Sequence, residues 1–182
     1  MPFDNLCKLL SEKHPDRFAY WILGDAPPSI QVLKTELSIE PIRADSVTFL
    51  HLQGRILHLE FQTTLCSTPP LPLRMLDYWV RLHRLYRLPI TQVVVLLLPP
   101  TDDTPIATAF ALESTRHEYR VIPMWEQDPN LFLNDPALLP LAPLASPTAS
   151  DPLLQSVAQR VRELEPTQRQ EVSSYVQNFW LG

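Results

Sequence analysis

Apolar residues in the first segment recur at helical spacing. Phe3, Leu6, Leu9 and Leu10 share one face of residues 3–13, with Asp, Glu and Lys on the other. This predicts a short amphipathic helix with Asp4 as its N-cap, ended at His14-Pro15 because a residue before proline avoids helical angles. A second short helix over 16–23 carries Phe18, Tyr20 and Trp21, and the GDAPP run at 24–28 breaks it. From Ser29 the period becomes two. Leu33, Thr35, Leu37 and Ile39 alternate with Lys34, Glu36, Ser38 and Glu40, the pattern of a half-buried strand. After a turn at 41–44, two strand-like runs, 45–52 and 55–62, meet at Gln53-Gly54 and read as a hairpin.

A Pro-rich loop at 67–72 leads into 73–88, where Leu73, Leu76, Trp79, Val80, Leu82 and Leu85 again fall at helical spacing, with Pro89 as the stop. Residues 90–98, ITQVVVLLL, are apolar almost throughout, as a central strand buried on both faces would be. Residues 110–112 and 117–126 are strand-like, and a short helix is expected around 136–141 in the Pro- and Leu-rich stretch that follows. Helices over 153–165 and 168–181 are separated at Pro166-Thr167. The order predicts an α/β fold: a central mixed sheet flanked by helices over residues 1–145, then a C-terminal helical segment over 146–182. Leu153, Leu154, Val157, Val161 and Leu164 form one apolar stripe there, and Val172, Tyr175, Val176, Phe179 and Trp180 another. These stripes either pack onto the core or pair two copies as a homodimer.

Composition narrows the chemistry. Only 3 of 182 residues are Gly, and neither GxGxxG nor GxxxxGK[ST] occurs, which excludes a Gly-rich phosphate loop. Pro, at 20, punctuates the elements sharply. The net charge of −5 counts against a wholly basic nucleic-acid footprint but leaves room for a local patch. Cys7 and Cys66 have neither zinc nor disulfide spacing. No signal-like segment and no apolar run of membrane-spanning length stand out, so a cytoplasmic protein with no membrane partner is expected.

The hairpin carries the candidate chemistry. If Gln53-Gly54 is the turn, Leu52 faces Arg55, Phe49 faces His58, Val47 faces Glu60 and Asp45 faces Gln62. Asp45, His58, Glu60 and Gln62 then share one face, and Leu57, Leu59 and Phe61 the other. Two carboxylates and an amide oxygen so placed can hold one hard divalent cation such as Mg²⁺. The plainer alternative is a strand-capping Asp45 and a solvated Glu60. On 73–88, Arg74, Tyr78 and Arg81 fall on one helix face. That makes a local basic patch suited to phosphate contacts, or simply a solvated face partly neutralised by Asp77.

The segments ADSV (44–47), LEFQT (59–63) and PPLPLRMLDYWVRL (69–82) resemble the recombination-promoting nuclease (Rpn) and putative transposase family of the PD-(D/E)XK nuclease superfamily. TELSIEPIRAD (35–45) and YRVIPMWEQDP (119–129) resemble a cyanobacterial branch of it. The matching signature is an Asp on the second core strand, Glu-x-Gln on the third, and a following helix with Arg and Tyr. The resemblance implies a PD-(D/E)XK-like core acting as a Mg²⁺-dependent DNA endonuclease, with Mn²⁺ as a substitute metal. Asp45 and Glu60 would be metal ligands, and Gln62 would stand where most of the superfamily has Lys. Arg74, Tyr78 and Arg81 would contact DNA, and Glu12 or Glu36 would supply an extra acid. Gln cannot act as an acid or base, so a weakly active or inactive nuclease fold serving as an interaction module is the alternative. A small-phosphoester hydrolase ranks third, for want of a phosphate cradle.

Overall fold

The computed structural model describes residues 3–25, 28–33, 47–101, 104–146 and 151–176. Helices α1 (Phe3–Lys13) and α2 (Pro15–Leu23) follow each other with only His14 between. Pro15 opens α2, where a missing N–H costs no helical bond. Gly24 closes it in the left-handed conformation (φ 76°), its N–H donating to Tyr20 O.

Strands β1 (Ile30–Leu33), β2 (Val47–Leu52) and β3 (Arg55–Gln62) form an antiparallel meander. Gly54, at φ 79°, supplies the positive φ of the β2–β3 turn. Leu52 pairs with Arg55, Phe49 with His58 and Val47 with Glu60, the register the alternation predicts. The strand expected from Ser29 starts at Ile30; its continuation through Glu40, with Glu36, lies outside the described residues, as does Asp45.

Strand β4 (Ile90–Leu96) runs parallel to β3, so a crossover must join them, and α3 (Leu71–Tyr86) provides it. The helix starts at Leu71, earlier than its apolar periodicity suggests, with Pro72 in a first turn where no intrahelical bond is lost. It stops before Pro89 because Arg87 takes a left-handed φ of 56°. Strands β5 (Ala109–Leu112) and β6 (Thr115–Glu118) form a separate hairpin. Strand β7 (Arg120–Pro123) then pairs parallel to β4, giving a five-stranded mixed sheet in the order β1-β2-β3-β4-β7.

Asp4 is the second residue of α1, not its N-cap. Two longer segments also depart from expectation. The run 117–126 is not one strand: it is the end of β6, then β7, then a 3₁₀ turn over Met124–Glu126. Tyr119 makes the break. It is buried, with its N–H donating to Thr108 O and its hydroxyl to Ala107 O, which pins the chain where it passes from hairpin to sheet. The helix expected at 136–141 is instead α4 (Asn130–Leu133) followed by a 3₁₀ segment over Leu139–Leu144, where Pro140 and Pro143 remove the donors an α-helix needs.

Helices α5 (Asp151–Glu163) and α6 (Pro166–Val176) complete the described chain. Pro166 is the first residue of α6 rather than part of the break. Val157 and Val172 are buried in the same cluster as Leu6, Leu10, Leu57, Leu59 and Phe61, so both stripes pack on their own chain's core; Phe179 and Trp180 lie outside the described residues. α1, α2, the 3₁₀ segment, α5 and α6 thus cover the sheet face that carries Leu57, Leu59 and Phe61. α3 covers the opposite face, through Tyr78 and Leu82 on Val47, Phe49 and Ile56, and through Leu71 and Met75 on Val94 and Leu96. Among the described residues no helix is long and apolar enough to cross a membrane.

Candidate functional site

Period-two alternation along β3 sends His58, Glu60 and Gln62 to the α3 face. His58 is 0 % exposed and Glu60 1 % exposed, so the solvated-Glu60 alternative does not hold. Burial of a carboxylate requires partners, and two come from nearby in the chain. Arg74, in the first turn of α3, brings Nη2 to 2.8 Å from Glu60 Oε1. Gln62 donates from Nε2 to the same oxygen at 2.8 Å and to Phe61 O at 2.9 Å. The amide nitrogen is thereby used up, and the side-chain carbonyl oxygen is the polar end that remains. The other Glu60 oxygen, Oε2, lies 3.5 Å from His58 Nε2, longer than a formed hydrogen bond, and has no hydrogen-bond partner among the described residues. Arg74 Nε is likewise buried and unpartnered among them.

Behind Glu60 a second set of polar groups continues into the protein. His58 pairs across the parallel ladder with Gln92 on β4. Gln92 Nε2 lies 2.8 Å from His58 Nδ1 and donates to Met75 O at 2.8 Å, while its Oε1 meets His117 Nε2, on β6, at 2.5 Å. Phe49 and Tyr78 enclose the His58 ring edge-on, each with centroids 5.0 Å away. Burial pushes His58 below the ordinary histidine range, against the pull of the Glu60 carboxylate. It lowers His117 in the same direction, with His58 adding to the effect. Burial, and next the negative charge of Glu60, push the Tyr78 hydroxyl upward.

Of the residues singled out in the sequence, the structure brings Glu60, Gln62 and Arg74 together. Asp45 and Glu36 lie outside the described residues. Glu12 pairs with Lys8 at 3.9 Å on α1, across the sheet from Glu60, and does not join the cluster. Tyr78 is not on an exposed helix face: it is 2 % exposed, its ring packed on Phe49 and His58. Arg81 is held by Asp77, with Nε–Oδ1 and Nη2–Oδ2 both at 2.9 Å. Gln92 escapes sequence reasoning. Its one signal is a polar residue inside an otherwise buried strand, and His117 shows no partner until the fold supplies Gln92. Among the described residues no three His, Cys, Asp or Glu side chains converge as a metal-holding group.

No family model, curated protein or solved structure matches the chain.

Proposed function

We propose that the protein is a Mg²⁺-dependent DNA endonuclease with a PD-(D/E)XK-like core, acting in the cytoplasm on DNA in recombination or transposition. The observation that carries this reading is Glu60: a fully buried carboxylate on the third strand, with one oxygen that has no hydrogen bond among the described residues and Gln62 and Arg74 on the other. A buried acceptor in that state needs an explanation, and a bound cation is one. Supporting it is the order of elements, with Glu60-x-Gln62 on the third strand and Arg74 on the helix that follows.

The residues fit a hard cation. Mg²⁺ takes oxygen ligands, commonly one or two carboxylates with water and phosphate completing the set. Glu60 Oε2 is such a donor, and Asp45, from the sequence, would be the second. Bound there, the metal would lower the pKa of a water and stabilise charge on the phosphodiester. The chain's own groups have separate tasks. Gln62, its amide N–H bonds already made, can accept a hydrogen bond from the attacking water through its carbonyl oxygen and orient it, but cannot take its proton. Arg74 holds Glu60 with one nitrogen and keeps Nε for a phosphate oxygen.

Plasmid nicking tests this reading. Wild-type protein should nick supercoiled DNA in Mg²⁺ or Mn²⁺, and Glu60→Gln should lose at least a hundredfold. No nicking by folded wild type with either ion, or equal nicking by Glu60→Gln, overturns it. A second reading, a nuclease fold kept as an interaction module, is favoured by one observation: Arg74 already neutralises Glu60 within the chain. The negative result would select it.

A further inference from the structure

The hydrogen bonds around Gln92 determine where its neighbours carry their protons. Met75 O is a backbone carbonyl and can only accept. The end of the Gln92 amide 2.8 Å from it must therefore be the NH₂ group; a flipped amide would set two oxygens together with no proton between them. That nitrogen has two hydrogens. One goes to Met75 O, and the other points to His58 Nδ1, also at 2.8 Å. A ring nitrogen that accepts carries no proton, so the single proton of neutral His58 sits on Nε2. Nε2 faces Glu60 Oε2 at 3.5 Å, and neither atom has a hydrogen bond among the described residues. At the far end of the amide, Gln92 Oε1 accepts from His117 Nε2, which fixes the amide from the β5–β6 hairpin as well.

We propose that Gln92 locks His58 as the Nε2–H tautomer, and that His58 is thereby a positioning residue for Glu60, aiming its N–H at the inner carboxylate oxygen. A carboxylate oxygen has two lone pairs, so Oε2 can receive this N–H and still ligate a cation. Groups that hydrogen-bond a metal ligand from behind typically govern ~10–100-fold in metal affinity. The positioning half rests on the cation-binding reading above; the tautomer half does not.

The test is ¹⁵N NMR of the histidine rings in the full chain at neutral pH, beside Mg²⁺ titration of the same samples. Wild-type His58 should show a protonated Nε2 and a bare Nδ1. Gln92→Glu, whose carboxylate accepts only, should move the proton to Nδ1 and weaken Mg²⁺ binding by ~10–100-fold in a folded protein. Should that variant not fold, Gln92→Met keeps the volume without the donor and should give a mixture of both tautomers with the same direction of affinity loss. A wild-type proton on Nδ1 overturns the lock. The expected tautomer with Mg²⁺ affinity unchanged in the variants overturns the positioning role alone. The expected tautomer in a wild type that binds no Mg²⁺ supports the lock and removes the positioning role together with the nuclease reading.

Discussion

The two faces of the sheet are made by the same strands and do different work. Leu57, Leu59 and Phe61 face α1, α2, α5 and α6 in one continuous apolar cluster, where the buried polar side chains among the described residues are Ser11 and Thr48, bonded to each other at 2.7 Å. His58 and Glu60, alternating with them, face α3 in a layer that also buries Gln92. The first face gains stability from area removed from water. The second spends part of that gain on desolvating a carboxylate, an imidazole and an amide, groups a plain structural layer would replace with leucine. That difference between neighbours on one strand separates an apolar face from one that holds buried polar groups.

The largest effect is expected on the apolar side. Phe61→Ala should destabilise by roughly 3–5 kcal/mol in denaturant unfolding, without touching the Glu60 oxygens. On the α3 face, Glu60→Ala leaves Arg74 without its counter-charge. It should cost about 2–3 kcal/mol, less than for a wholly buried pair because the Arg74 side chain is 19 % exposed. Replacing both partners, Glu60→Met with Arg74→Met, should return stability to within about 1 kcal/mol of wild type while nicking stays lost. If the double variant is as unstable as the single one, the pair is structural after all.

A smaller effect separates the faces by pH. Burial holds the His58 pKa below its ordinary 6.5, so the unfolded chain binds this proton more readily than the folded one. The stability His58 contributes is complete above about 6.5 and is lost as pH falls below it, at no more than ~1.4 kcal/mol per pH unit. His117, shifted the same way and partly exposed, adds to the direction. Glu60, Arg74, Tyr78, Gln92 and Phe49 surround His58. Unfolding midpoints of metal-free protein should therefore drop between pH 7.5 and 5.5, and His58→Gln should flatten that slope. Smallest of all, Arg81→Ala should change stability by about 0.5 kcal/mol or less, since its pair with Asp77 lies at the surface.

What the sequence disclosed follows from how local each signal is. Period-two alternation over residues 55–62 and a Gly at 54 fixed the hairpin, its register and the sorting of Leu59 from Glu60, because a tight turn ties both strands to one pairing. The proline-bounded helix and the apolar β4 run were legible for the same reason. The parallel pairing of β3 with β4 was not. No short turn sets its register, and His58 meets Gln92 only across 34 residues, as His117 meets Gln92 across 25. The inward turn of Tyr78 was missed because arginines on either side make its face look polar. The strand-like run 117–126 gave no sign that Tyr119 divides it between two sheets.

In the proposed nuclease, Glu60 Oε2, which has no hydrogen bond among the described residues, is a cation ligand. Isothermal titration of Mg²⁺ into wild type, Asp45→Asn and Glu60→Gln decides this. One Mg²⁺ bound by wild type and lost in both folded variants is the predicted result. No Mg²⁺ bound by wild type, or equal binding by Glu60→Gln, would contradict it.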